Sequence, residues 1–366
     1  DQSLKSIRGS FAGASFLDIF IPILLMALLI FMIKRLLASF PLMFAISFVS
    51  FLIIYAVPGD YVDTWLSQTM AMTGQSRVEL EPLAADLRSK LGLDQPFHVQ
   101  CLVWIKGILL DFDFGPSFVQ SRPVAEVLGL RFPRTIGIAL ITLIFGQLIG
   151  ALLGIYAALN QYKIGDTLAT VFAFTGIVIP KFVVSLVILY FLAFVWHSPY
   201  IGAIQSPVYI LQEGWSWGKI KDFFLHVWPI LAISIWAGQG YIMRMMRGNL
   251  LDVMKMQYIE TAKAKGLSRR KTIFLHAIPN ALHPIIMNQG SRFDYMVKGE
   301  IEIAIVLGIP TVGPLILGSV YNKDMYVVSA IFMLVALLLI AGNLIADLLL
   351  ALLDPRVRHA TMESSS

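Results

Sequence analysis

Cysteine is all but missing. Cys101 is the only one in 366 residues, so no internal disulfide can form and the redox compartment is not legible from cysteine usage. Charge is scarce as well: Asp, Glu, Lys and Arg make up 14% of the chain against 57% hydrophobic residues, and mean hydropathy is +0.76. Soluble domains carry about a quarter charged residues and about half apolar ones, so the soluble class is excluded and an integral membrane protein is the reading. No G-x-x-x-x-G-K-[ST] loop occurs; Lys271-Thr272 follows Arg270 rather than Gly, so ATP is not bound by that route. The six histidines (His98, His197, His226, His276, His283, His359) form no H-E-x-x-H and no close pair, which leaves a metal centre without support. The absence of G-x-S-x-G removes the nucleophile elbow, and with it hydrolase chemistry of that type. The net charge of +5 then reports basic loops on one side of a membrane rather than affinity for nucleic acid.

What the chain does have is long apolar runs. A spanning helix needs about 20 mostly apolar residues, and six segments qualify: 36–57, 135–159, 167–196, 227–246, 284–307 and 327–353. Their apolar character is continuous rather than alternating, which excludes barrel strands. The third is long, and Pro180 is expected to kink it. Lys34 and Arg35, then Lys163, then Arg244 and Arg247 with the basic stretch after them, then Arg356 and Arg358 fall in alternate connections, so both ends of the six-span unit are placed on the cytoplasmic side. Residues 58–134 lie opposite and mix acids and bases with short amphipathic runs, which predicts a small helical external segment. Trp215 and Trp217 in the connector 197–226 suit an interfacial helix. Within residues 1–35 the stretch "FLDIFIPILLMALLIFMI" is apolar enough to span but carries Asp18 and Pro22. These residues allow an extra span, an interfacial helix or a product of start-site choice, and a membrane-associated extension outside the core is favoured. The fold class is therefore an all-α integral membrane protein: a six-helix core over 36–358, an N-terminal hydrophobic extension 1–35 and a short tail 359–366.

One stretch does not fit a minimal connector. "YIETAKAKGLSRRKTIFLHAIPN", residues 258–280, sets Lys263, Lys265, Arg269, Arg270 and Lys271 against a single acid, Glu260. Leu251, Met254, Tyr258 and Ala262 fall on one helical face. Gly266 is placed to end that helix and Ser268 to cap the next. Ile273, Phe274, Ala277 and Ile278 form a second apolar face limited by Pro279. A loop that only oriented the protein would need no helix–Gly–helix shape.

Glu260-Thr261-Ala262, three residues, Gly266, nine residues and a close at His276-Ala277-Ile278-Pro279 resemble the EAA loop of permease subunits in ATP-binding-cassette importers, E-A-A-x3-G-x9-I-x-L-P. The chain departs at Thr261, His276 and Ile278. "IYAVPGD", "LGLDQPFHVQCLVWIKGILLDFDFGPSF", "GIVIPKF" and "LLDPRVR" extend the resemblance to the dipeptide/oligopeptide permeases over about residues 32–358. It implies a type I importer permease fold. It also implies that Glu260, Thr261, Ala262, Lys263, Ala264, Lys265, Gly266, Leu267, Ser268 and Arg269, within a cytoplasmic loop 247–282, dock on an ATPase subunit. The partners it implies are a second homologous permease, two ATP-binding subunits that hold ATP and Mg, an external solute-binding protein and a peptide substrate in a bacterial inner membrane. This chain itself would carry no cofactor and catalyse nothing alone.

Ionisable residues at bilayer depth cost about 2.5–3.5 kcal/mol each on insertion scales, so they face a cavity or a partner. Asn288, Arg292, Asp294, Lys298 and Glu302 in the fifth span, with Lys181 after Pro180, are the pathway candidates. Pairing within the span or with the second permease is the competing account. Gly146, Gly150 and Gly154 form a small-residue ridge for close helix packing. Nickel and oligosaccharide permeases share the subgroup and remain alternatives for the solute. A self-sufficient secondary transporter or channel is the rival class, but it predicts inverted repeats and gives the Gly266 elbow no purpose.

Overall fold

The computed structural model describes residues 16–212, 214, 216–287 and 300–353. They form an all-α membrane protein, interrupted only by a two-residue antiparallel ribbon, β1 (Pro116–Ser117) and β2 (Arg122–Pro123), among the described residues. Helix α1 (Phe16–Ala56) leads into three shorter helices, α2 (Tyr61–Thr73), α3 (Arg77–Leu91) and α4 (Phe97–Asp111). After the ribbon come α5 (Val124–Leu159), α6 (Ile164–Val178), α7 (Lys181–Tyr190, continued by a π turn Phe191–Val195), the single turn α8 (Pro207–Ile210) and the long α9 (Trp217–Val253). Then follow α10 (Gln257–Ala264) and the composite α11, made of Arg269–Lys271, a π segment Thr272–Ala277 and Ile278–Met287. Helices α12 (Glu300–Leu307), α13 (Val312–Tyr321) and α14 (Met325–Leu353) complete the described part.

Four helices are long and apolar enough to cross a membrane, and two bent pairs bring the number to as many as six. The expected kink at Pro180 is in fact a break: α6 and α7 meet at 95°. The reason is local. The residue before a proline is pushed out of the helical region, and Ile179 is extended at φ −80, ψ 123. The fifth span is described only at its ends, 284–287 and 300–307, and it is followed by a helix that the apolar runs did not announce. Helices α12 and α13 are bent by 81°, with Gly308 at φ +67 and Pro310 between them. The boundary expected at residue 35 is not a break either. Helix α1 is continuous for 41 residues, because Lys34 and Arg35 are good helix formers and do not interrupt it. At 1.5 Å per residue it is about 60 Å long, twice the hydrocarbon core.

Helix α9 packs along α5, and the small-residue ridge of α5 explains how closely. A Cβ on Gly150 would lie 2.6 Å from the Gln239 carbonyl oxygen, and one on Gly154 would lie 2.6 Å from that of Met243. Gly146 is looser, 3.9 Å from the nearest atom.

Residues 58–134 are mostly helical, as expected. Arg88 of α3 reaches Asp60 at 2.9 Å and Asp63 at 2.7 Å, joining α3 to the start of α2. Phe51, Trp104, Phe118 and Tyr326 form a buried aromatic cluster that seats this segment on α1 and α14. Beside it the fully buried Asp324 accepts hydrogen bonds from the Ser117 hydroxyl at 2.7 Å and the Val119 amide at 3.2 Å. Burial pushes the Asp324 carboxyl above the ordinary Asp range, and these donors oppose the shift. Trp217 begins α9 and is exposed, in keeping with an interfacial place; Trp215 lies outside the described residues.

Candidate coupling site and the polar residues of the spans

The basic stretch folds as a knob beyond the end of α9. Helix α10 closes in a Schellman arrangement: the Gly266 amide donates to the Lys263 carbonyl at 2.9 Å, and the Leu267 amide donates to the Ala262 carbonyl at 3.3 Å. Gly266 has φ +79, a conformation that costs other L-residues about 1–2 kcal/mol. Space around it is open, since nothing lies within 4 Å of where a Cβ would stand. Ser268 caps the following helix by accepting from the Lys271 amide at 3.4 Å. The expected elbow and cap are both present.

Glu260, Thr261, Lys263, Ala264, Lys265, Gly266, Ser268 and Arg269 are exposed; Leu267 is half-buried and Ala262 buried. Inward, Ile259 of α10 packs with Ile273, Ala277, Ile278 and Ala281 of α11 and with Leu250 of α9, and Ala262 is buried as well. The knob is thus anchored on one face and free on the other.

Three sequence-based expectations change here. Tyr258 is exposed, and Ile259 takes the inward place, because the chain breaks between Val253 and Gln257 and restarts the helical phase. Phe274 is 65% exposed and does not join the second apolar face. Pro279 does not end its helix: α11 runs on to Met287. The π segment Thr272–Ala277 immediately precedes it, a register change that accommodates a residue without an amide hydrogen.

Glu260 pairs with Lys263 at 2.8 Å on the surface, a contact that contributes a few tenths of a kcal/mol. Arg247 is held by Asp166 through two hydrogen bonds of 3.0 and 2.9 Å. Asp166 is buried and also accepts from the Tyr162 amide at 3.0 Å. The pair ties the first turn of α6 to α9 just before the knob.

Among the pathway candidates, Asn288, Arg292, Asp294 and Lys298 lie outside the described residues. Glu302 is exposed on α12, and Lys181 is half-buried as the first residue of α7. Glu300, another charge of the fifth span but not a site candidate there, is buried, 3% exposed. Lys181 is among the charges that act on it. The Thr142 hydroxyl is beside it without closing a hydrogen bond of good geometry. Among the described residues no cluster of His, Cys, Asp and Glu has the makings of a metal site.

Residues 150–359 match the family described as binding-protein-dependent transport system inner membrane component, and residues 28–139 match the N-terminal part of such membrane components. The chain belongs to this family. The binding-protein-dependent permeases it is similar to include an oligopeptide transport system permease of Bacillus subtilis, 30% identical over 90% of this chain and 99% of the relative. An oligopeptide permease of Haemophilus influenzae shows the same identity and coverage. A glutathione transport system permease of Salmonella typhimurium is 29% identical, again over 90% of this chain and 99% of the relative. Membership makes the protein a multi-pass inner-membrane permease of an ABC importer. Its family works with other ABC components and a substrate-binding protein.

In this permease, sequence reasoning missed the pairing of Asp166 with Arg247 and the role of Asp324, and it counted Glu300 among the fifth-span charges without making it a site candidate. Each is an acid inside or bordering an apolar run, and that was the available signal. It also missed that Met256, Tyr258, Phe274 and Leu275 are exposed around the knob, the last at 68%.

Proposed function

We propose that this chain forms half of the translocation pathway of an ATP-driven importer of peptides, and that the α10–Gly266–α11 knob couples it to an ATPase subunit. The observation that carries the reading is the knob itself: a Gly-closed elbow anchored inward by Ile259 and presenting Lys263, Lys265 and Arg269 outward. An orienting loop has no need of an anchored core. Peptide as the solute rests on relatives named as oligopeptide and glutathione permeases. In this reading a second homologous permease completes the pathway, and two ATP-binding subunits carry ATP and Mg. An external binding protein delivers the peptide, and the knob and both ends of the six-span core face the cytoplasm. Arg292 and Glu302, with Asn288, Asp294, Lys298 and Lys181, remain the proposed pathway residues.

The test is co-purification with the ATPase subunits, together with peptide uptake in membrane vesicles. Gly266→Arg is expected to insert normally, lose uptake and bind the ATPase weakly, through both the cost of φ +79 and the bulk on the exposed side. Lys265→Ala is expected to be mild, since a surface charge is worth about 0–1 kcal/mol. Wild-type uptake by Gly266→Arg would sink the coupling role.

A further inference from the structure

Helices α6 and α9 enclose a cleft of about 480 Å³ at the end where the Asp166–Arg247 pair lies. Thr167, Thr170, Val171 and Phe174 of α6 line one wall at helical spacing, and Arg244 and Arg247 of α9 stand opposite. From Thr167 to Phe174 the wall descends about 10 Å into the span. The cleft is therefore polar and basic at its mouth and apolar below, where Val171 and Phe174 are both exposed. The Asp166 carboxylate is already neutralised by Arg247. Arg244 is exposed, stacked 6.0 Å over the Tyr241 ring, and has no carboxylate partner among the described residues. The mouth thus keeps one uncompensated positive charge next to threonine hydroxyls.

A free anion would explain the arginine but not the apolar floor, and a neutral lipid tail would explain the floor but not the arginine. Basic pockets between spans at the cytoplasmic face hold anionic head groups, and in the orientation proposed above this mouth opens at that face. We infer that the α6–α9 cleft is a binding site for an anionic phospholipid, with the phosphate at Arg244 and an acyl chain along Val171 and Phe174. The lipid would brace the joint between α6 and α9, one turn from the pair that precedes the knob.

The experiment uses the permease co-purified with its partner subunits and reconstituted in nanodiscs of phosphatidylcholine with phosphatidylglycerol. Native mass spectrometry then reads the phospholipid retained after release. The wild type is expected to retain phosphatidylglycerol in preference to phosphatidylcholine. Arg244→Gln is expected to lower that retention about fivefold, the worth of one basic group at an anionic surface. Arg244→Lys should keep most of it, which covers the case in which the Gln variant does not assemble. Val171→Trp leaves every charge in place but fills the floor, and it should lose the lipid too. Wild-type retention by Arg244→Gln overturns the site. So does wild-type retention by Val171→Trp, which would mean that the mouth holds a bare phosphate group and no chain. Cross-linking of a cysteine at position 171 to the second permease subunit would also overturn it, because a protein would then cover the cleft. The readout does not involve transport, so failure of the peptide assay leaves this inference standing.

Discussion

At Gly150 a single methyl group has no place to go. Its Cβ would stand 2.6 Å from one backbone oxygen and 2.8 Å from Ile242 Cβ, and neither neighbour is the movable end of a flexible chain. Gly266 is the opposite case, with open space but a left-handed backbone. The two glycines therefore fail differently when substituted. Gly150→Ala is expected to push α5 and α9 apart and destabilise the folded protein by about 1–3 kcal/mol, the usual cost of overpacking. Thermal unfolding in detergent measures it, and an unchanged midpoint would show that the two helices are not held at the described distance. Both glycines were visible in the sequence as members of a G-x-x-x-G ridge and of a helix–Gly–helix pattern. What each one abuts was not, since spacing along one helix says nothing of the atoms on another.

At the scale of elements, the segment of α2–α4 and the ribbon is joined to the spans by a few buried contacts, among them the polar one at Asp324. It stands in the turn between α13 and α14 and receives Ser117 and Val119 from the ribbon region. Its folded-state pKa is raised above the ordinary Asp value by burial. The folded form thus binds a proton more readily than the unfolded chain, and the cost of holding the charge is fully present at neutral pH. That cost is relieved as pH falls through the folded value. Asp324→Asn keeps an oxygen acceptor and removes the charge. Its melting temperature is expected to exceed that of the wild type near about pH 8, and the margin should shrink towards about pH 5. A margin that widened on acidification would reverse the sign and refute burial as the cause. The sequence did show that 58–134 is helical, through its amphipathic runs. It could not show that an aspartate some 200 residues later (207 from Ser117) completes the attachment.

For the whole molecule, the six apolar runs and the alternation of basic connections set a topology that labelling can check. Cysteines placed at Ser76, the N-cap of α3, and at Ser268, the N-cap of α11, are both exposed and sit in different extramembrane parts. They are expected to react with an impermeant maleimide from opposite sides of sealed vesicles. Reaction of both from one side would remove the six-span arrangement, because an odd number of crossings has to separate them.

The sequence by itself determined that the chain lives in a bilayer, that its spans are helices, and that a basic elbow closes at Gly266 with Ser268 as the next cap. These follow from composition, run length and the backbone needs of single residues, all of them properties of contiguous chain. Pro180 marked the place of the break, but the 95° between α6 and α7 depends on how the two halves pack and was decided by tertiary structure. So was the partner of Arg247, which meets Asp166 through two hydrogen bonds. A charge can reach several opposite charges within one helix or across two. Which of them it meets is set by burial, where the loss of water makes a buried, multiply bonded acid such as Asp166 need its cation more than an exposed one such as Glu260 does.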